Sequence, residues 1–445
     1  MRGVRYHGRR PRGRSSPSRS RILAEKGGDL GVGTPGAASS GDRDRPSLKL
    51  VLIIGALSAF APLSMDMYLP ALPSLSRSLG GTAWEVQLTL TACLLGLAIG
   101  QLVAGPLSDR IGRRRPLLFG VGAYTLASLA CGLAPSVPAL IALRLVQGAS
   151  GAAGIVIARA VVRDLYDGPA LARFLALALA VNGIAPILAP IVGGQIIRFG
   201  PWRIVFLVLG LIGLALLAAT AFGLPETHPR DRRAQGGVRD ALGTFWSLAG
   251  DRAFQGYALS IGLAYAAMFA YISGSAFLIE DRFGLAPQIF SVIFAANAFG
   301  IMVAGQTSAR LVHRLGARRL LRLGLGMSLT GACLLVVVGV TGLGLGGILP
   351  GFFLTVASIG LINPNATALA LAGHGADAGS ASALLGLAQF VIGGAAAPLA
   401  GLGGSVAEMP MVLTMALASA GATASYLLLV VVRPGLAAER TPVAR

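Results

Sequence analysis

The chain has few charged residues and very few cysteines for its length. Asp, Glu, Lys and Arg make up 12% of its 445 residues, whereas apolar types make up 54%. This composition excludes an ordinary soluble enzyme, because soluble domains carry about 25% charged residues. The three cysteines, Cys93, Cys131 and Cys333, lie inside apolar runs without metal-ligand spacing. Neither a disulfide framework nor a metal site is indicated, and no cofactor is expected.

Acidic residues are scarcer than basic ones, with 18 Asp and Glu against 37 Lys and Arg. In a soluble protein this excess would favour nucleic-acid binding, but in a chain this apolar the cations instead indicate membrane orientation. We therefore expect no nucleic-acid partner. Residues 1–46 are rich in Arg, Gly, Ser and Pro and hold hardly any apolar residue. That composition predicts a disordered, basic tail over residues 1–47.

From Lys49 onward, apolar runs of roughly 18 to 25 residues recur between short polar breaks, and each is long enough to cross the hydrocarbon core of a bilayer as a helix. Each run therefore predicts one membrane span. Twelve spans are predicted, at residues 49–70, 84–107, 116–134, 138–163, 171–195, 202–224, 253–279, 287–309, 320–340, 345–370, 376–402 and 409–432.

The basic residues are divided unevenly between the two sides of the predicted membrane. With a cytoplasmic N-terminus, 32 of the 37 Lys and Arg lie on the cytoplasmic side, and Arg77, Arg198, Arg203 and Arg282 lie outside. Arg144 falls within a span. Because cytoplasmic loops carry the excess of cations, we expect a multi-pass protein of the inner (plasma) membrane with both termini in the cytoplasm.

The sequence also contains an internal repeat. The loop after span 2 reads GPLSDRIGRRR (residues 105–115), and the loop after span 8 has a related pattern 200 residues later. Parallel six-helix repeats are a known transporter architecture. The predicted domains are a six-helix bundle at 48–224, a cytoplasmic linker at 225–252 with a short interfacial helix at 238–248, a second bundle at 253–432 and a tail at 433–445.

The loop at residues 105–115 resembles, over its whole length, a signature of the major facilitator superfamily. The resemblance implies an all-α polytopic membrane protein, with twelve transmembrane helices in two pseudo-symmetric six-helix bundles around a central cavity. The residue types agree with the motif, because Gly105 would permit close helix contact and Gly112 a tight turn. The second-half loop has Ala309 in place of the Asp, so only the first loop is expected to form a full charge latch.

In that family, the loop's Asp and the Arg four residues later bind acidic partners at the cytoplasmic ends of spans 4 and 11. This latch stabilises the outward-facing state. The gating residues that the resemblance implies here are Gly105, Asp109, Arg110, Gly112, Arg113, Asp164 and Asp377.

Two ionisable residues stand out within the predicted hydrocarbon region. Asp66 lies about four residues before the outer end of span 1, and Arg144 about six residues after the outer start of span 4. Each costs about 2.5 to 3.5 kcal/mol or more unless it is hydrated or paired. We therefore expect both to face one water-filled funnel, where a nearby guanidinium helps the carboxylate to ionise and the pair exchanges a proton. The alternatives are an Asp66 already in external water and an Arg144 that is a purely structural anchor.

The sequences around these two residues resemble one branch of the family. DMYLPALP, from Asp66, resembles the span 1 signature of the bicyclomycin/chloramphenicol-resistance (Bcr/CflA) branch. RLVQG, from Arg144, resembles the span 4 motif that is assigned to proton coupling in the family.

Span 5 resembles the antiporter motif of exporters. Its two prolines, four residues apart, leave carbonyls without their usual donors, and its glycines permit close packing, so we expect the span to bend and to seal the outer path. Ala189 replaces a Gly of the general motif, which agrees with the Bcr/CflA form; a generic kinked helix is the alternative. The residues implied are Gly183, Pro186, Pro190, Gly193 and Gly194.

Aromatic and amide side chains on several spans are candidates to contact a ligand. Singly, each has packing or an interhelical hydrogen bond as its alternative role. The principal candidates are Tyr68, Gln147, Asn182, Tyr265, Phe269, Asn363 and Gln389, with Tyr271, Asn297 and Asn365 as further ones.

These patterns predict a monomeric membrane antiporter that exports small amphipathic drugs or related compounds by alternating access, driven by protons. Export of an endogenous metabolite, such as an amino acid derivative, is the alternative within the same class. An intramembrane enzyme would need a convergent nucleophile and base or a metal triad, and a non-transporting sensor would be expected to carry a folded soluble domain. Neither is indicated, and the sequence does not identify the substrate.

Overall fold

The computed structural model describes residues 48–229, 247–248, 250–374, 378–404 and 406–432. Within these ranges the chain forms helices joined by turns, and no strand. The predicted tails at 1–47 and 433–445, and most of the predicted interfacial helix at 238–248, lie outside the described residues.

The helices follow the order of the predicted spans. Span 1 comprises Leu48–Ser58, Phe60–Asp66, a 3-10 turn at Leu69–Ala71 and Leu72–Leu79; spans 2 to 6 are Ala83–Ile111, Arg114–Gly132, Val137–Leu165, Gly168–Phe199 and Arg203–Gly223. Span 7 is Arg252–Phe277 with a π-helical end at Leu278–Arg282, and spans 8 and 9 are Pro287–Leu315 and Ala317–Thr341. Span 10 comprises Leu345–Ala357 and Ile359–Leu371, span 11 is Ala378–Ala396 with a 3-10 end at Ala397–Gly401, and span 12 is Met409–Tyr426 with a π-helical end at Leu427–Val431.

The described helices have the lengths and the surface of a membrane bundle. Nine of them are long and apolar enough to cross a bilayer, and the bent helices of span 1 make a tenth crossing. Spans 3 and 5 complete the twelve. Large apolar side chains stand on the outside, such as Phe119 at 78% exposure and Phe222 at 88%. Because a soluble protein seldom exposes so many, this surface is suited to lipid.

Span 1 continues beyond the residue at which the sequence predicts its end. The predicted span stops at residue 70, but helix resumes after the prolines and ends at Leu79, where Gly80 adopts a φ of +67°. Pro70 and Pro73 each occupy one of the first two positions of a short helix, where the missing N–H costs nothing. The prolines therefore divide the span instead of ending it, and Asp66 lies deeper than predicted.

The two halves of the chain pack their helices in the same way. In the first half span 2 packs on span 4, span 3 on span 6 and span 1 on span 5; in the second half span 8 packs on span 10, span 9 on span 12 and span 7 on span 11. The halves meet where span 5 contacts span 8 and span 2 contacts span 11. This pairing is that of two pseudo-symmetric six-helix bundles, as predicted.

The two ends of the bundle differ in charge. The loops that join spans 2 to 3, 4 to 5 and 8 to 9 meet at one end, which we call the arginine-rich end. The described arginines there are Arg110, Arg113, Arg114, Arg115, Arg163, Arg310, Arg314, Arg318 and Arg319. The opposite, arginine-poor end holds the loops that join spans 1 to 2 and 7 to 8.

Candidate functional site

A cavity of about 310 Å³ lies between the two halves of the bundle. Spans 1, 2, 5, 7, 8, 10 and 11 line it, mostly with apolar and aromatic side chains. A concave, largely apolar space with a few polar groups is typical of a small-molecule site. The polar side chains in its lining are Asp66, Tyr265, Tyr271 and Asn297.

Asp66 is the one carboxylate among the described residues that line this cavity. It ends the helix Phe60–Asp66, just before the discontinuity in span 1, and it is only 6% exposed. None of the ion pairs between described residues includes Asp66. A carboxylate in such surroundings is costly when ionised and unpaired, so we treat it as the chemical centre of the cavity.

Arg144 is fully buried and is held by neutral partners. Its Nη1 donates to the backbone oxygen of Ser64 at 2.9 Å and to Oε1 of Gln147 at 2.6 Å. The guanidinium lies over the ring of Tyr68, with its carbon 4.3 Å from the ring centroid. Its Nε and Nη2 have no hydrogen-bond partner among the described residues. The positive charge is therefore stabilised by dipoles and an aromatic face rather than by a carboxylate.

The contacts of the described residues do not pair Asp66 with Arg144, because Asp66 lines the cavity and Arg144 is held by Ser64, Gln147 and Tyr68. Ser64 and Tyr68 contact Arg144, and both are two residues away from Asp66. Asp66 is in the lining of the cavity, whereas Arg144, Ser64 and Tyr68 are not. The sequence predicts similar depths for the two residues, but depth does not determine the face of a helix. The role of each residue in proton coupling stays a prediction.

The structure places some of the predicted ligand-contact residues in the cavity and others outside it. Tyr265 and Phe269, as well as Tyr271 and Asn297, are in the lining, and Asn297 donates to the Tyr271 hydroxyl at 2.7 Å. Tyr68 and Gln147 belong instead to the Arg144 cluster.

The remaining amide candidates are engaged elsewhere or undescribed. Gln389 donates to Asn363 at 3.0 Å, and neither is in the lining. Asn365 donates to Ser308 at 2.7 Å. The side chain of Asn182 lies outside the described part of the chain. Sequence reasoning missed the apolar lining of Met65, Met268, Phe294 and Phe390, because these types are equally common in packing between helices.

Arg113 lies at the centre of an ion-pair cluster at the arginine-rich end, as the latch motif implies. Its Nε donates to Asp164 at 2.9 Å, and its Nη1 pairs with Asp109. Gly112 makes the turn before it with a φ of +99°, a conformation that favours glycine. Burial lowers the pKa of Arg113, but hydrogen bonds to Asp164 and Asp109 raise it, and its pKa lies above the usual value.

Glu226 and Thr227, which follow span 6, also belong to this cluster. No role was predicted for either of them from the sequence. The carboxylate of Glu226 accepts from the backbone N–H of Arg113 at 2.8 Å and of Arg114 at 3.2 Å. The hydroxyl of Thr227 donates to Asp164 at 3.2 Å. The negative charge of Glu226 thus lies at the N-terminus of span 3, where free N–H groups and the helix dipole stabilise it. In the sequence, Glu226 and Thr227 belong to the segment LPET (residues 224–227) directly after span 6. This polar pair beside the arginine-rich loops is the feature from which their role could have been predicted.

Of the other predicted gating residues, Gly105 and Arg110 are described and Asp377 is not. A Cβ at Gly105 would meet Val156 at an ordinary 3.7 Å, so close packing does not require a glycine there, contrary to the prediction. Arg110 is exposed. Asp377 lies outside the described residues, so the partner expected from span 11 stays a prediction.

Span 5 packs closely against span 1 in its own half and against span 8 in the other half, through two of its glycines. A Cβ at Gly193 would lie 1.9 Å from the backbone oxygen of Met67 in span 1, and one at Gly194 would lie 2.4 Å from Ser291 Oγ in span 8. Pro186 and Pro190 lie inside the same helix. At Gly183, by contrast, the nearest atoms are 4.0 Å away, on Met302. The close contact that the motif predicts is therefore concentrated at 193 and 194.

The two halves are joined at the arginine-poor side of the cavity. Four hydrogen bonds link described residues across the boundary there. They connect Arg77 to Asp281 (2.7 Å), Gln87 to Ser273 (3.2 Å), Thr91 to Gly394 (2.7 Å) and Gln288 to Gly194 (2.8 Å). Together with the span 5 contacts, they close this end of the bundle.

Comparisons with known proteins agree with this architecture. The sequence profile of the Major Facilitator Superfamily matches residues 54–398. An uncharacterized MFS-type transporter, YdgK, of Bacillus subtilis (strain 168) is 37% identical over 82% of this chain and 91% of its own length. A bicyclomycin resistance protein homolog of Haemophilus influenzae is 30% identical over 84% of this chain and 94% of its own.

A solved structure has the same fold at low sequence identity. The bacterial homolog to the human lysosomal transporter Spinster, in an inward-facing and unoccupied conformation, superposes with a TM-score of 0.64. It is 17% identical and covers 88% of this chain and 96% of its own. At this identity the likeness supports the fold alone.

Proposed function

The chain belongs to the major facilitator superfamily, in its Bcr/CflA branch, and from that premise we propose that it exports small amphipathic molecules in exchange for protons. The observation that carries the proposal is that Asp66 is the one carboxylate among the described residues lining an apolar cavity between the two halves. An ionised carboxylate there is costly unless a proton, water or a cation neutralises it. Asp66 is therefore the proposed proton carrier, and the proton and the substrate occupy one cavity.

Alternating access follows from the division into halves, with bundles at 48–224 and 253–432 and a linker between them. The arginine-rich end is assigned to the cytoplasm, because basic loops remain inside. The hydrogen bonds between the halves lie at the other end, which supports an inward-facing state. The proposed cycle breaks these contacts and closes the arginine-rich end.

The Arg113 cluster is proposed to hold the arginine-rich end of the first half together throughout the cycle. Its partners Asp109, Asp164 and Glu226 all belong to that half, so these contacts survive when the halves separate. In our proposal the state-dependent contact is the one to Asp377, which forms when the arginine-rich end closes and stabilises the outward-facing state.

Proton entry supplies the energy for export in this scheme. For a neutral substrate exchanged one-to-one, a membrane potential of 100 mV contributes about 2.3 kcal/mol per proton. That free energy supports a concentration ratio of about 50-fold.

The decisive experiment is transport into proteoliposomes with an imposed pH gradient, using a panel of labelled compounds that includes bicyclomycin and amino acid derivatives. We expect Asp66→Asn to lower pH-driven transport more than tenfold, because the amide cannot carry the proton. The matched control is Glu85→Gln, which also removes one carboxylate but preserves the exposed capping box with Thr82. Full pH-driven activity in Asp66→Asn would overturn the role of carrier.

A further inference from the structure

We propose that the start of span 9 binds the headgroup of an anionic phospholipid at the arginine-rich end of the bundle. In this site Arg319 and Arg322 hold the phosphate, and the exposed helix face that follows them holds an acyl chain. The site lies on the outer surface of the second half, outside the lining of the cavity. It therefore does not depend on the proposed exchange of protons and substrate.

The loop between spans 8 and 9 carries positive charge without nearby acids in the sequence. Residues 283–376 contain five arginines and no Asp or Glu, and all five lie within residues 310–322. They are Arg310, Arg314, Arg318, Arg319 and Arg322. All five are exposed, and none of the ion pairs between described residues includes one of them. The related loop of the first half differs, because Arg113 there is paired with Asp109 and Asp164.

Span 9 has an arginine where the equivalent helix of the first half is apolar. Span 3 begins with RRPLLFG (residues 114–120), and span 9 contains RRLLRLG near its start (residues 318–324). The two segments align without a gap at their paired arginines and at their final glycine. In this alignment Arg322 corresponds to Leu118. Arg322 therefore lies about one turn beyond the loop, towards the hydrocarbon, where a guanidinium is stable if it reaches a polar partner at the interface.

The packing of the two glycines supports this alignment. A Cβ at Gly120 in span 3 would lie 2.4 Å from the Cβ of Ala153 in span 4. One at Gly324 in span 9 would lie 2.9 Å from Cγ1 of Ile362 in span 10. Equivalent helices of the two halves thus meet at equivalent glycines. The difference between arginine and leucine at the aligned position is therefore a real difference between the two outer surfaces.

The exposed face of span 9 continues from these arginines as a largely apolar stripe. Its members recur every three or four residues, which is the spacing of one helix face. They include Arg319, Arg322, Gly326, Cys333, Val337 and Val340, with Leu323 beside Arg322. A Cβ at Gly326 would meet no atom within 4 Å, so the face is open there and an acyl chain can pass close to the backbone. Charge at one end and an apolar stripe below it suit a phospholipid better than a free anion.

The chemistry of the two arginines favours an anionic headgroup. Guanidinium groups bind phosphate through paired hydrogen bonds, and basic clusters at the membrane edge attract anionic lipids. Arg319 and Arg322 are three residues apart, so both lie on one side of the helix and can reach one headgroup. A zwitterionic headgroup carries its own ammonium, which the surrounding arginines repel.

A tryptophan placed beside the site tests the proposal in a bilayer. Leu323→Trp puts a fluorescent reporter next to Arg322, and bromine atoms on an acyl chain quench a tryptophan that they contact. The full chain is reconstituted in mixtures of phosphatidylglycerol and phosphatidylcholine with identical acyl chains, one of the two lipids being brominated. The signal of the three native tryptophans is subtracted with the parent protein. We expect phosphatidylglycerol to bind at residue 323 at least fivefold more tightly than phosphatidylcholine.

The matched control is Phe119→Trp, at the position of span 3 that aligns with Leu323. Both native side chains are exposed, at 78% and 57%, so both reporters contact lipid. At residue 119 we expect the two lipids to bind within about twofold of each other. An equal preference for phosphatidylglycerol at both positions would mean that any cytoplasmic helix end attracts the anionic lipid, and it overturns a specific site.

Variants of the arginines test their role at the same reporter. Arg319→Gln with Arg322→Gln should bring the two lipids within about twofold of each other, whereas the corresponding double change to Lys should retain most of the preference. Arg110→Gln with Arg115→Gln removes two exposed arginines from the first-half loop and should leave the preference at residue 323 unchanged. An unchanged preference in the first double variant overturns the proposal. Thermal unfolding of each variant confirms that it is folded.

Soluble anions separate a lipid site from a phosphate site. Inorganic phosphate and glycerophosphoglycerol, the deacylated headgroup, should leave the lipid preference at residue 323 unchanged at millimolar concentration, because neither has an acyl chain. Displacement of phosphatidylglycerol by either would overturn lipid binding in favour of a free-anion site. Asp66→Asn should not alter the preference, so failure of the lipid site and failure of proton-coupled transport are observed separately.

Discussion

The first half of this transporter contains three buried charged residues, and each lies in a different environment. Asp66 lines the cavity, Arg144 lies outside its lining and Arg113 holds the arginine-rich end. Each depends on different partners: aromatic walls for Asp66, neutral dipoles for Arg144 and carboxylates for Arg113. Because the environments are separate, substitutions at the three positions should have different consequences.

Replacement of Arg144 by Lys should destabilise the protein without altering how protons bind at Asp66. Nη1 alone donates to both Ser64 and Gln147, but a compact ammonium cannot also lay a planar group over the Tyr68 ring as the guanidinium does. We expect a loss of about 1 to 3 kcal/mol, measured as a lower unfolding temperature in detergent. The pH dependence of ligand binding should be retained. A shift of its midpoint by more than one pH unit would mean that the guanidinium acts on Asp66 directly.

Replacement of Arg113 by Gln should weaken the cluster at the arginine-rich end. It leaves Asp109 and Asp164 without their shared cation, and Asp109 is 45% exposed, so water compensates part of the loss. We expect a destabilisation of about 1 to 3 kcal/mol and transport slowed more than tenfold, with membrane insertion intact. Arg113→Lys, which retains the charge, should recover part of both. Wild-type turnover in Arg113→Gln would contradict the gating role.

At the scale of elements, interrupted helices place the functional groups. Span 1 breaks beside Asp66, and span 10 breaks at Ser358 between two shorter helices. Span 5 instead stays helical through Pro186 and Pro190 and contributes its closest contacts through glycines. Interruptions expose polar backbone to the interior, and in membrane proteins this is tolerated where it is covered by neighbouring helices or lines a cavity.

Span 5 provides a test of the closed end. Gly193→Ala would place a methyl carbon 1.9 Å from the backbone oxygen of Met67. The contact between spans 1 and 5 must therefore open. We expect transport to fall more than tenfold and the arginine-poor end to become more accessible to thiol reagents at an introduced cysteine. Gly183→Ala is the matched control, because its methyl group has 4.0 Å of space; it should stay within about twofold of wild type. Equal effects of the two would contradict a specific clamp.

At the scale of the whole molecule, closure depends on contacts between the two halves. The Arg77–Asp281 pair is mostly solvent-exposed on the Arg77 side and contributes at most about 1 kcal/mol. The contacts of Gln87, Thr91 and Gln288 with backbone oxygens lie within the bundle. Because each contact is weak, the closed end can open within a transport cycle.

A reversible cross-link tests that opening. The Thr91 hydroxyl donates to the Gly394 oxygen at 2.7 Å, and a Cβ at residue 394 would lie 3.9 Å from Thr91 Cγ2, so the thiols of a Thr91→Cys, Gly394→Cys double variant should come close enough to be cross-linked by oxidation. In a background without the three native cysteines, oxidation should lower transport more than tenfold, and a reductant should restore it. Each single-cysteine variant should be insensitive. Full transport by the oxidised double variant would show that this boundary does not open.

The sequence by itself determined the twelve crossings and the internal repeat, whereas the cluster of Asp109, Arg113 and Asp164 was implied by the resemblance of the loop motif to a known family. The crossings and the repeat depend on local information, namely the length of apolar runs, the position of cations and the residues of short loops. The sequence also indicated Asp66, Tyr265 and Phe269, because an intramembrane carboxylate and aromatic residues are informative wherever they occur.

Only the tertiary structure decided which of these residues share a site. It separated Asp66 from Arg144, placed Tyr68 and Gln147 with the guanidinium rather than the cavity, and brought Glu226 to the N-terminus of span 3. Hydropathy gives the depth of a residue in the membrane but not the direction of its side chain around the helix axis. That direction is fixed by packing between helices that are far apart in sequence.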